Sequence, residues 1–327
     1  MTWKTDEPFL LKPAYKDYLW GGDKLKTEYH KETGLSPLAE SWECSTHPDG
    51  TSLALIDQTE IPLTEVIKNH PEILGTHPRT RDALPILIKL IDAKKDLSVQ
   101  VHPDDDYARI YEHGSLGKSE FWYVLEAEPG ASLVYGFSQD VTEEQIRQGI
   151  ADGTIRKYLQ KIPVKRNDVF FVQAGTVHAI GKGIVIAEIQ ESSNLTYRLY
   201  DYNRRDRNGN LRELHIDKAL DVLNLHSSAE PVQPMRLLNY QPGFASEFLT
   251  RCRYFQVERI LLNSEASEVS YRTDSSSFEV LICVQGKGVL KGSKLRIPFR
   301  KGDTVFVPAD SEALSFSGKA ELLGVNC

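Results

Sequence analysis

KRNDVFFVQAGTVHAI, residues 165–180, and RKGDTVFVPADSEALS, residues 300–315, decide the fold class between them. Each has a polar turn, an aspartate (Asp168, Asp303) and a short apolar strand carrying a phenylalanine (Phe171, Phe306), closed by Val, then Gln or Pro, then Ala. Just upstream of them, SEFWYVLEAEPG (119–130) is similar to SFEVLICVQGKG (277–288). Two unrelated hairpins are the alternative to a true repeat. Working outward, short β-branched and aromatic runs predict strands at 87–91, 97–102, 120–126, 132–136, 168–172, 184–190 and 196–200. Helical spacing predicts helices over Leu63–Leu74, Thr142–Leu159 and Ile216–Leu223, the second opened by a Thr142/Gln145 capping box. A Pro/Ser-rich connection, 224–244, separates these from strands at 255–262, 278–284, 304–307 and 320–325.

This repeated pattern is that of a cupin jelly roll. The expected fold is mainly β: two cupin-type jelly-roll β-barrels with a few helices inserted in the N-terminal part. Residues 1–234 form the N-terminal, catalytic domain and 235–327 a C-terminal, metal-free cupin-like domain. The assignment of roles comes from one difference between the copies. Where the first has His178 the second has Ala313, and no histidine follows His226.

Composition narrows the function. In 327 residues, 39 Lys and Arg face 46 Asp and Glu, a net charge of −7. That balance argues against gripping nucleic acid or an anionic membrane, and an anionic small substrate would need local cations in a cleft. The four cysteines are scattered, with no CxxC pair. The longest apolar run, Leu84–Ile91, is broken by Lys89 and is too short to cross a bilayer. The opening MTWKTDEPFL lacks the apolar core of a signal peptide, so a cytoplasmic location is expected. No phosphate-cradling glycine loop is present.

The chemistry concentrates in SVQVHPDDD, 98–106. Gln100 and His102 alternate with Val99 and Val101, so both polar side chains share one face of a strand. Such a face is either a wet outer surface or a polar interior site. Glu120 opens the next strand, and His178 follows the Ala174-Gly175-Thr176 turn. Two histidines and a carboxylate converging in one barrel would hold a first-row metal with positions left open, and Gln100 could add an oxygen. Zinc and Fe(II) suit that set equally on ligand grounds.

QVHPDD, GKSEFWYVL, AGTVHAIGKG and EIQESSNLTYRLYDY, with FLLKPAYKDYLWGG and LAESWEC near the N-terminus, resemble the type I mannose-6-phosphate isomerases in their short bacterial form. The resemblance implies two cupin domains, one zinc per chain on His102, Glu120 and His178, and Gln100 at a position that ligates zinc in longer members. It also implies a sugar phosphate substrate and aldose–ketose isomerisation through a cis-enediol. Longer members read Arg-Ala-Gly where this chain has Arg198-Leu199-Tyr200, so their phosphate contacts are not carried over downstream of Arg198.

Three residues are expected to work around the metal. Lys118, two before Glu120, shares its face in an extended strand; the alternative is a solvated lysine. Glu188 sits in the apolar run IVIAEIQ, where a carboxylate is costly without a partner, and the resemblance makes it a substrate-side glutamate. Arg198 matches the family's catalytic arginine; a structural ion pair with Asp201 or Glu188 is the alternative. Trp20 either walls the pocket or packs on the core. Lys182 is a loop cation, the 204–209 run a charged turn, and His215 has no partner at metal spacing. Two other readings are kept: a cupin Fe(II) dioxygenase, and a non-catalytic sugar- or metal-binding cupin. The chain is expected to be monomeric or weakly homo-oligomeric, with no nucleic-acid or membrane partner.

Overall fold

The computed structural model describes residues 3–77, 83–206, 208–265 and 268–327. Three apolar runs of eight residues, Ile86–Ala93, Glu120–Ala127 and Ile184–Glu191, lie side by side and antiparallel. They are the centre of a six-stranded sheet that Val169–Val172 extends on one side and Glu40–Cys44 and Ala14–Lys16 on the other. Their near-continuous hydrophobicity has a simple cause, since both faces of this sheet are covered.

Alternation along each strand sorts the two faces. Trp122, Val124, Ile184, Ile186 and Ile91 pack with Leu133, Ile162 and Ile180 in one apolar cluster. That cluster joins the six-stranded sheet to a five-stranded one, ordered Leu159–Pro163, Ser132–Phe137, His178–Ala179, Val99–Val101, Tyr197–Tyr200. Val99, Val101 and Leu199 face away from it and are covered through Ile146, Ala219 and Leu220 by helices Glu143–Ala151 and Ile216–Val222. On the opposite side, Phe121, Tyr123, Leu125, Val185 and Ile189 pack against Val280, Ile282, Phe306 and Val325 of the C-terminal sheet. The layers therefore run helices, five strands, six strands, C-terminal sheet.

Two 13-residue strands, Glu279–Lys291 and Leu314–Asn326, dominate the C-terminal sheet. They bend at Gly286 (φ 78°) and Gly318 (φ 137°), and a Cβ at Gly286 would fall 2.2 Å from the Lys319 carbonyl oxygen. This sheet crosses residue 235. Phe9–Lys12 pairs with Thr304–Val307, and Leu53–Ile56 and Thr59–Pro62 extend the sheet beyond it. Phe9 stacks on Phe306 at 5.1 Å.

The repeat holds at the level of single hydrogen bonds. Asn167 (φ 73°) and Gly302 (φ 94°) both take the left-handed conformation and donate to the carbonyls of Val124 (2.8 Å) and Cys283 (2.7 Å). Asp168 and Asp303 then accept from the amides of Lys165 (2.9 Å) and Arg300 (2.8 Å). The upstream segments need one correction. Matched end to end, 119–130 and 277–288 pair Glu120 with Phe278, whereas the strands set Glu120 opposite Val172 and Glu279 opposite Val307. Glu279 is the counterpart of Glu120; a one-residue slip would turn every side chain to the wrong face.

Two predicted helices are shorter than their sequence pattern. Leu63–Asn69 is α-helical, but Pro71 has no N–H to continue it and Pro71–Leu74 tightens to 3₁₀. Glu143–Ala151 opens on the expected capping box and stops before Gly153 (φ 75°), after which Leu159–Pro163 is a strand. Two helices are new: the single turn Lys24–Thr27, and Asp105–Tyr111, capped by the Asp104 carboxylate on the Tyr107 amide at 2.9 Å.

Candidate metal centre and its pocket

Strand parity puts the polar residues of four strands inside the first sandwich. Lys89, Gln100, Glu120 and Glu188 each stand one residue from an apolar neighbour that faces outward. His102 follows directly on Val99–Val101, and His178 pairs with Gln100 across the sheet. The result is a buried cluster: ligand atoms of His102, Glu120 and His178 all lie within 4.8 Å of one another, and none of the three residues exceeds 1% exposure.

These residues fit a divalent cation. His178 Nδ1 lies 2.8 Å from the Thr176 carbonyl oxygen, so it must carry the proton, leaving Nε2 as a lone pair turned toward Glu120 Oε2 at 3.7 Å. Burial pushes the His102 imidazole down to about 3, with the Lys118 charge adding to it, and burial lowers His178 as well. Burial works the other way on Glu120, but the Lys118 charge, with the His102 imidazole beside it, outweighs it and holds the carboxyl well below its usual range. Two neutral imidazoles and one carboxylate are the protonation state a metal requires. The Lys118 ammonium already stands as a cation there, 2.5 Å from Glu120 Oε1 and 3.1 Å from His102 Nε2. The Gln100 amide reaches the same cluster, 3.3 Å from His178 Nε2.

Glu188 is held as buried carboxylates must be. Lys89 Nζ donates to Oε1 at 3.0 Å, and the Trp122 indole donates at 3.0 Å to both Glu188 Oε2 and Glu120 Oε2. Burial raises the Glu188 carboxyl, and the Glu120 charge adds to the shift. On Lys89, burial is outweighed by the charges of Glu188 and Glu40, so its ammonium is stabilised. Sequence reading treated Lys89 only as an interruption of an apolar run. The signal was there: Lys89 and Glu188 are charges in the middle of two buried eight-residue strands, and they face each other in register.

Gln100, Lys118 and Glu188 also line a cavity of about 250 Å³, walled by Tyr18 and Trp20 and rimmed by Arg198 and Arg212. Arg198 pairs with neither suggested partner. Asp201 is taken by Arg204 and by both Nε (2.7 Å) and Nη2 (2.6 Å) of Arg212, and Glu188 by Lys89. Arg198 Nη1 donates to the Glu213 carbonyl at 2.9 Å while its buried Nε has no hydrogen-bond partner. Burial, then the neighbouring Arg212 charge, lowers its pKa, so an anion here would be welcome. His215, set aside in the sequence, fixes this arginine: its Nδ1 accepts from the Arg198 amide at 3.1 Å. Arg212 is a rim residue that sequence reading missed. Lys182 does not line the cavity; its amide donates to Asp96. In the charged turn, Arg207 lies outside the described residues.

Comparison with known proteins agrees with this geometry. Residues 9–128 match the sequence profile described as phosphomannose isomerase type I, catalytic domain, and residues 245–326 match that of the mannose-6-phosphate isomerase cupin domain. The mannose-6-phosphate isomerase ManA of Bacillus subtilis is 34% identical over 322 residues, covering 98% of each chain. A crystal structure of the B. subtilis mannose 6-phosphate isomerase superposes with a TM-score of 0.88 at 30% identity, over 97% of this chain and 99% of that one. A zinc-bound holo mannose 6-phosphate isomerase, 17% identical, shares the fold with a TM-score of 0.74 over 97% and 98% of the two chains.

Proposed function

The chain belongs to the type I phosphomannose isomerases, and on that footing we propose that it interconverts mannose 6-phosphate and fructose 6-phosphate with one zinc ion held by His102, Glu120 and His178. Gln100 is the fourth protein ligand in this reading. The observation that carries it is the buried His–Glu–His cluster, with the His178 tautomer set by Thr176, beneath a cavity rimmed by two arginines. When bound, the metal polarises the substrate carbonyl and stabilises the negative charge of the cis-enediolate.

The chain's own residues do the rest. Lys118 hydrogen-bonds the substrate oxygens beside Glu120. Glu188, fixed by Lys89 and Trp122, moves the proton between C1 and C2. Arg198 stabilises developing negative charge, and Arg212 anchors the phosphate at the rim. The catalytic work belongs to the part before residue 235, and the C-terminal domain holds no metal. Neither alternative kept from the sequence, oxygenase or passive binding module, accounts for Lys118, Glu188 and Arg198 around one cluster. Among the described residues no helix is long and apolar enough to cross a membrane. The reading keeps a cytoplasmic enzyme, monomeric or weakly self-associating, and the net charge of −7 argues against nucleic acid or an anionic membrane as partner.

A coupled assay with mannose 6-phosphate tests the whole reading. Activity must disappear on chelation and return with zinc. Activity unchanged by complete metal removal would refute it.

A further inference from the structure

The structural repeat carries a second cavity. Glu279, the counterpart of Glu120, faces inward with Leu281 and Cys283 as Glu120 does with Trp122 and Val124. The position equivalent to Glu188 is Gly324: each lies across from the second residue after the glutamate, Leu281 here and Trp122 there. A Cβ on Gly324 would fall 2.2 Å from Glu279 Oε1, so the Glu279 carboxylate fills the space that Glu188 takes in the first sandwich. The Tyr271 hydroxyl donates to it at 2.5 Å. Among the described residues no second group of three metal ligands converges.

Above Glu279 opens a cavity of about 320 Å³, comparable to the 250 Å³ of the metal-side pocket. Its wall carries Arg251, Arg253, Arg272, Gln256 and Asn326, together with Asp274, whose carboxylate accepts from the Ser276 amide at 2.7 Å. Arg272 donates to the Ser311 carbonyl and to Asp310, both at 2.9 Å, whereas Arg251 and Arg253 form no ion pair with a described residue. Guanidinium groups gathered in one cleft of an acidic protein repel one another unless an anion joins them, and their planar forks suit a phosphate. The carboxylate and two amides below are the groups that read sugar hydroxyls.

We infer that this cavity is a second, non-catalytic binding site for a phosphorylated monosaccharide, with the phosphate on the arginines and the sugar toward Glu279, Gln256 and Asn326. The inference stands on the cavity's own chemistry and does not require the first pocket to be an isomerase site.

Calorimetry on the zinc-loaded full chain with sorbitol 6-phosphate, a hexitol phosphate that cannot isomerise, tests it. The expected result is two equivalents bound per chain, falling to one in R251S/R253S with isomerase activity unchanged. A single equivalent that survives in R251S/R253S overturns the proposal, whereas a single equivalent lost in that variant supports it and counts against the first site instead. Inorganic phosphate, titrated into the same site, should bind at least tenfold more weakly than the hexitol phosphate, and E279Q should shrink that difference. Equal affinity for the two in the wild type would overturn the sugar part of the proposal.

Discussion

At the scale of single residues, the histidines, Arg198 and Glu191 make separable predictions. His178→Ala removes a ligand atom from a fully buried cluster, so purified protein should lose its near-stoichiometric zinc and its activity together. Metal analysis decides it: zinc retained at one per chain would remove His178 from the ligand set. For Arg198→Ala, a transition-state role lowers kcat and kcat/KM together by roughly 10²–10³, as for loss of one oxyanion donor. Arg212→Ala should mainly raise KM, because it removes an anchor at the rim. Steady-state kinetics on both variants, with zinc content verified, separate the roles, and normal kcat with high KM for Arg198→Ala would make it the anchor. Glu191 is a buried carboxyl that accepts from the Ser119 amide at 2.8 Å, between Lys118 and Glu120 in the chain. Burial is the main cause that raises it from 4.5 to about 8. An acid held protonated in the fold contributes stability below pH 4.5 that is lost as pH rises through about 8, at up to about 1.4 kcal/mol per pH unit. Denaturant titrations from pH 5 to 8 should show this slope in the wild type and a flatter one in Glu191→Gln.

At the scale of elements, the test lies between strands Ile86–Ala93 and Ile184–Glu191. Their apolar side chains set the pairing, and Lys89 meets Glu188 only because the register is the one observed. Lys89→Met leaves Glu188 and Glu40 as buried carboxylates without their cation, at a cost of about 3–5 kcal/mol. Adding Glu188→Gln should recover part of that, since the uncompensated charge is then gone. Chemical denaturation of the single and double variants measures it, and a Lys89→Met protein as stable as wild type would show the pair to be dispensable. Both strands were legible as apolar runs, and Glu188 as a charge that needed a partner. Which lysine met it was not legible, because 99 residues separate the two and no local period encodes cross-strand register. The expected helix over 142–159 overran for a related reason: its spacing continued past Ala151, but Gly153 turned the chain back toward the sheet.

At the scale of the molecule, the C-terminal sheet is tied to the catalytic sandwich through a shared apolar cluster. Phe9, Phe121, Val280 and Phe306 belong to one core although they come from both ends of the chain. Phe9→Ala would open a cavity beside the Phe306 ring and cost about 3–5 kcal/mol. Because that core is continuous, isomerase activity and the circular dichroism of the whole chain should be lost at one denaturant midpoint. Two separated midpoints would show that the halves unfold independently despite the shared sheet.

By itself the sequence determined the β class, the repeat, the shared face of Gln100 and His102, and the residue types that can hold a metal. Each of these is written in spacing along one strand or in the comparison of two local segments. The absence of histidine after residue 226 likewise placed any His–Glu–His set ahead of the C-terminal repeat. Tertiary structure alone decided that Lys89 faces Glu188, that Arg212 joins Arg198 at the rim, that Glu279 stands in the place of Glu120, and that N-terminal strands complete the C-terminal sheet. These are contacts between segments far apart in the chain. They depend on register, bends and layer packing, which the pattern of neighbouring residues does not encode.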